Sequence, residues 1–94
     1  MAWAQGTAQV DFGVANTTAS VVITGQTGFV NTQAVEAWIS PVATTNNTED
    51  DHWTTPFSVQ VPFSTMITGS GFVIVVKCNQ GLAHGLFNLN WVYN

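Results

Sequence analysis

Charge is what this sequence lacks most. Only 6% of its 94 residues are Asp, Glu, Lys or Arg, against about 25% in an ordinary soluble domain. A single basic residue, Lys77, stands against five acids, for a net charge of −4. Nucleic-acid binding needs Lys and Arg to neutralise phosphates, and one Lys excludes it. Attraction to an anionic membrane surface fails for the same reason. Long apolar runs are also missing. The longest, Phe72 to Val76, is far short of the ~20 residues a spanning helix needs. Cys78 is the only cysteine, so no disulfide forms within the chain. The opening Met1-Ala2-Trp3-Ala4-Gln5-Gly6 has neither the basic region nor the apolar stretch of a signal peptide. The expectation is synthesis in a cytoplasm without export.

What is present is apolar and β-forming. Hydrophobic residues make up 46% of the chain, four of them Trp. An ordinary monomer keeps its surface soluble with charged side chains. Here Thr, Asn, Ser and Gln must do so, or a partner must cover much of the surface. One domain over residues 1–94 is all the length allows, and a domain this small gains much from a partner subunit.

The dominant period is two, the signature of strands. Ala8, Val10, Phe12 and Val14 alternate with Gln9, Asp11 and Gly13, behind an N-terminal arm of residues 1–6. Ser20 to Thr24 is a short strand, and Gly28 to Asn31 adds another. Val35, Ala37 and Ile39 alternate with Glu36 and Trp38, and Pro41 ends that strand or places it at an edge. Phe57, Val59, Val61 and Phe63 share a face, with Pro62 marking an edge or a bulge. Gly69-Ser70-Gly71 signals a tight hairpin. Phe72 to Cys78 is apolar on both faces, as a central strand or a subunit contact would be. Phe87, Leu89, Trp91 and Tyr93 alternate with Asn88, Asn90 and Asn94. No stretch keeps helical spacing over three turns. The fold class is therefore all-β: an antiparallel β-sandwich or jelly roll of six to eight short strands.

Residues 43–56 read as one long polar loop, which in so small a domain usually has a task. Glu49, Asp50, Asp51 and His52, with Trp53 beside them, form its dense polar cluster and a candidate ligand loop. Such a cluster either gathers a hard cation or is simply a solvated tip; no cation-binding spacing is present, so no metal or cofactor is assigned. Cys78 ends an apolar strand, where a thiol is buried and inert. Ser70 is explained by its turn. Glu36 and Asp51 could pair for sugar cleavage only in a deep cleft, and a chain this short offers little wall. The reading is not an enzyme. Trp38 shares its strand face with Glu36 and points away from one core. Exposed Trp marks interfaces, caps a core end, or stacks on sugar rings. Trp3, Trp38, Trp53, Val73 and Val75 are the expected contact residues.

Four segments carry a resemblance. They are Ala8-Gln9-Val10-Asp11-Phe12-Gly13; Val35-Glu36-Ala37-Trp38-Ile39-Ser40-Pro41; Glu49-Asp50-Asp51-His52; and Gly69-Ser70-Gly71-Phe72 with the terminal Asn90-Trp91-Val92-Tyr93-Asn94. Together they resemble small virion proteins encoded in tailed-bacteriophage genomes. The resemblance implies a virion component that decorates or cements the capsid, or belongs to the tail or fibre. Its partners would be copies of itself, with a trimer expected, and other virion proteins. More loosely the chain is similar to H-type lectin-like sandwiches, in which trimers carry sugar sites. That likeness implies a receptor- or glycan-binding module as the alternative, with a host surface glycan as partner, although their binding residues have no residue-by-residue counterparts here.

Overall fold

A computed structural model describes residues 4–94, apart from the Trp53 side chain. The fold is an antiparallel β-sandwich of two three-stranded sheets. Its elements in chain order are β1 (Ala4–Asp11), β2 (Thr18–Ile23), β3 (Val35–Ile39), α1 (Glu49–Thr54), β4 (Phe57–Gln60), β5 (Phe72–Cys78) and β6 (Leu86–Tyr93). The first sheet has the order β1-β6-β3 and the second β2-β5-β4. Each sheet thus has one central strand, β6 or β5, flanked by two edges.

The two central strands are those with the strongest patterns. β6 sends Phe87, Leu89, Trp91 and Tyr93 inward, all buried, and Asn88 and Asn90 outward. β5 buries Phe72, Ile74, Val76 and Cys78. Its β-branched run fits a pleated sheet surface. Along β6 the core divides into two aromatic groups. Phe12, Phe57 and Phe87 pack at one end, with ring centroids 4.7–5.8 Å apart. Phe29, Phe72, Trp91 and Tyr93 pack at the other, at 5.0–6.2 Å. Leu89 and Ile74, both fully buried, add aliphatic bulk to the same core.

Several expectations are corrected by local chemistry. The strand assigned to residues 8–14 begins at Ala4, because β6 runs on to Tyr93 and pairs with it. Ala4, Gln5 and Gly6 are therefore sheet, not arm; Met1, Ala2 and Trp3 lie outside the described residues. The same strand stops at Asp11. The Asp11 carboxylate accepts the Gly13 N–H at 2.7 Å, and Gly13 takes a positive φ of 67°, which turns the chain. Val14, expected inside, is 96% exposed as a result. Gly28 to Asn31 forms turns and no strand, with the Phe29 N–H donated to the Gln26 carbonyl, although the Phe29 ring reaches the core. Phe63, expected on the inner face of β4, is exposed in a single 3₁₀ turn, Phe63–Thr65. Pro62 has no N–H to extend the ladder, so β4 ends before it.

The long polar segment is also not all loop. Residues 49–54 form α1, one and a half turns held by a capping box. The Thr48 hydroxyl accepts the Asp51 N–H at 3.2 Å and the Asp51 carboxylate accepts the Thr48 N–H at 2.9 Å. Glu49, Asp50 and Asp51 occupy the first turn, where negative charge meets the positive end of the helix dipole. A helix this short does not hold itself together; its anchor is His52.

Candidate functional site

His52 is 1% exposed, in contact with the Phe87 ring at 4.9 Å between centroids. Its Nδ1 lies 2.8 Å from the Thr48 carbonyl and its Nε2 accepts the Asn88 N–H at 3.1 Å. A carbonyl can only accept and an N–H can only donate, so the proton is on Nδ1 and the Nε2 lone pair is used. Neither ring nitrogen is left for a ligand, a cation or a proton shuttle. Within the candidate ligand loop of Glu49, Asp50, Asp51, His52 and Trp53, the expectation is corrected at His52 and Asp51. His52 is a structural peg joining α1 to β6, Asp51 caps the helix, and Glu49 and Asp50 are exposed in its first turn. The Trp53 side chain lies outside the description. Among the described residues no group of three or more His, Cys, Asp or Glu could hold a metal ion. His84 is exposed while His52 is buried. Cys78 is buried, its Sγ 3.5 Å from the Gln80 carbonyl.

The stretch before α1 has a clear structural task. Asn47, itself buried, donates from Nδ2 to the carbonyls of His84 and Leu86 at 2.8 and 2.9 Å. The Thr44 hydroxyl donates to the Leu86 carbonyl, the Asn46 side chain accepts the Leu86 N–H, and Asn88 Nδ2 donates to the Val42 carbonyl at 2.7 Å. Beyond the end of β3, this segment takes up the backbone groups of β6 that no strand pairs.

With the acidic segment committed to structure, the free surfaces are the outer faces of the two sheets. On the first sheet the register sets three rows across β1, β6 and β3: Gln5–Val92–Glu36, Thr7–Asn90–Trp38 and Gln9–Asn88–Ser40. Trp38, 45% exposed, ends the middle row. Its expected orientation away from the core is what the structure has. The row of Gln9 and Asn88 is tied off by the bond from Gln9 Nε2 to Asn88 Oδ1 at 2.9 Å. The side chains of Gln5, Thr7 and Asn90 have no hydrogen-bond partner among the described residues.

The second sheet's outer face is different in kind. Val22, 64% exposed, stands directly opposite Val73, and Val75 follows on the same face of β5. Ser20, Thr18, Ser58, Gln60 and Lys77 frame this aliphatic stripe. Val73 and Val75, read from sequence as contact residues, are half-buried with their outward faces on it; Val22 was missed. Trp38 lies on the opposite side of the sandwich.

A third feature is the seam where β3 and β4 adjoin, a groove of about 430 Å³ lined by Val35, Glu36, Ala37, Trp38, Val59, Gln60 and Val61. The two prolines around β4, Pro56 and Pro62, limit that edge to four residues.

Among the described residues no helix is long and apolar enough to cross a membrane. The chain matches no protein-family model, no curated protein and no solved structure.

Proposed function

We propose that the protein is a non-enzymatic structural component of a phage virion, which assembles by burying the outer face of its second sheet against another copy of itself or a neighbouring virion protein. The observation that carries this reading is the Val22–Val73–Val75 stripe. A solvated sheet face normally alternates polar residues outward; here three valines are turned outward, and the only charge in their surroundings is Lys77. Burying that face brings the hydrophobic gain of about 25 cal/mol per Å² without stranding an ion in a dry contact. The virion assignment is supported by the likeness of the four sequence segments to small phage proteins. The chemistry of the interior agrees with a non-catalytic role: the buried histidine has both nitrogens engaged, and the thiol is buried.

Sedimentation velocity tests the assembly. The protein sediments as an oligomer at micromolar concentration, and Val22→Asp, at an edge-strand position open to solvent, sediments as a monomer with an unchanged circular dichroism spectrum. A wild-type monomer that also fails to bind purified particles of the encoding phage overturns the reading. Mass spectrometry of those particles tests the location: the chain is found there in stoichiometric amount, or the virion assignment fails.

A further inference from the structure

The outer face of the first sheet carries two hollows. One, of about 420 Å³, is lined by Gln5, Gly6, Thr7, Trp38, Asn90 and Trp91. The other, of about 190 Å³, shares Thr7 and continues past Ser40 and Asn88 to Val42. Gly6 and Trp91 turn their side-chain positions to the core, so they supply the floor. The walls are the exposed indole of Trp38, two amides and a hydroxyl. From these observations we infer that this face is a binding site for a neutral saccharide, with one sugar ring stacked on Trp38 and its hydroxyls bonded by Asn90, Thr7 and Gln5.

The chemistry of the walls selects the ligand. No ionisable side chain lines either hollow, and the charged side chains elsewhere on that face, Glu36 and Asp11, are both acidic, so an anionic ligand finds no counter-charge. An amide both donates and accepts, and a hydroxyl does the same. That bifunctional set matches sugar hydroxyls, which also do both. An indole offers a flat apolar face with a polar rim, which matches the C–H face of a hexose.

A second observation, independent of Trp38, points the same way. Ser40 lines the smaller hollow, and its hydroxyl, which has no hydrogen-bond partner among the described residues, keeps contact with solvent. A ligand hydroxyl lying in the track from Trp38 to Val42 would satisfy it, so the two hollows fit a chain of at least two sugar units. The neighbouring Gln9 and Asn88 bind each other and hold the rim in place.

The inference does not rest on the assembly reading, which concerns the other sheet. The test is an ¹⁵N–¹H NMR titration with four neutral hexasaccharides — maltohexaose, cellohexaose, mannohexaose and chitohexaose — and with sialyllactose as the charged control. At least one neutral hexasaccharide gives saturable shifts centred on the Trp38 indole N–H and the Asn90 side-chain amide, while sialyllactose gives none. Trp38→Ala weakens that binding at least tenfold, Trp38→Phe keeps part of it, and Asn90→Ala weakens it severalfold, each with the spectrum of a folded protein. Absence of binding by all four at millimolar concentration overturns the inference. So does binding that maps elsewhere and survives Trp38→Ala. Sedimentation of Trp38→Ala separates the two surfaces: a variant that dissociates, from a protein that binds no sugar, makes Trp38 a subunit contact and ends the saccharide assignment.

Discussion

The two outer faces of this sandwich are built on strands of the same kind, yet they present opposite chemistry. On the first sheet the outward positions are mostly Gln, Thr, Asn and Ser beside one indole, with Val92 and Glu36 at one margin. On the second they are valines framed by Ser, Thr and Gln. Neither has charges of both signs interspersed, the pattern that keeps an ordinary monomer soluble and unattached. The difference teaches what each face is suited to. Aliphatic side chains have no directional chemistry, so their stripe can gain only by being covered. Amides and hydroxyls lose by being covered unless every group finds a partner, so their face suits a ligand that brings hydrogen bonds of its own.

The largest expected effect on this comparison comes from below the first face. His52 supports β6 through the Asn88 N–H and fills space against Phe87. His52→Ala removes the packing and leaves the Asn88 N–H without its acceptor, while the Thr48 carbonyl keeps only the backbone N–H of residue 52. The cost is about 3 kcal/mol of unfolding free energy, measured by urea denaturation. Hydrogen exchange should show the loss of protection concentrated at Asn88 and in α1, with the amides of β5 following the global stability only. Equal loosening of both sheets would mean that the faces are not independently supported.

Next comes the stripe itself. Val22→Asp places a carboxylate in each copy of the proposed contact and should raise the dissociation constant of assembly about a hundredfold or more, roughly 2.7 kcal/mol. The matched change on the other face, Thr7→Asp, should leave assembly where it was. If Thr7→Asp dissociates the protein and Val22→Asp does not, the assignment of the two faces is reversed.

How much of this was legible beforehand follows from how each signal is encoded. The inward register of β6 and the outward placement of Trp38 are strictly local. Alternation over five to eight residues states them, and the structure agrees. The neighbours of a strand are not local. Nothing in the sequence says that Thr7 and Trp38 flank Asn90, or that Val22 faces Val73, because those pairings span 83, 52 and 51 residues of chain. The helix α1 was missed because it is too short for a periodic signal. Its trace was a capping pattern, Thr48-Glu49-Asp50-Asp51, in which Asp stands where Glu or Gln is usual. Of the acids that suggested a ligand loop, Asp51 caps the helix and Glu49 and Asp50 sit exposed in its first turn, and the histidine beside them is a buried peg; composition alone cannot separate those roles from coordination. Val14 shows the opposite failure, a period carried one residue pair too far past an Asp-x-Gly turn.

A third and smaller effect sharpens the boundary between the inner and outer sides of the first sheet. Gly6 lies opposite Trp91, and a Cβ there would run into the indole. The Trp91 Nε1 is already buried without a partner among the described residues, so the ring is held by packing on Gly6, Phe72 and Tyr93. Gly6→Ala displaces that ring and costs about 2 kcal/mol, seen as a lower melting temperature and a changed near-ultraviolet circular dichroism.

The smallest expected effect is the most discriminating. Trp38→Ala, on the other side of the same sheet from Trp91, should change the unfolding free energy by no more than about 0.5 kcal/mol, the range of surface substitutions remote from packed features. The two tryptophans lie in adjacent register positions of β3 and β6, Trp38 opposite Asn90 and Trp91 opposite Ala37. One is buried in the core and the other is 45% exposed. If that small value is found, a bulky aromatic at the edge of a face of amides and hydroxyls has its contribution elsewhere than in folding. A destabilisation of 2 kcal/mol or more in the Trp38→Ala variant, read from the same urea titration, would instead make Trp38 a lid over the β3–β4 seam, and the distinction between the two faces would then rest on the valines alone.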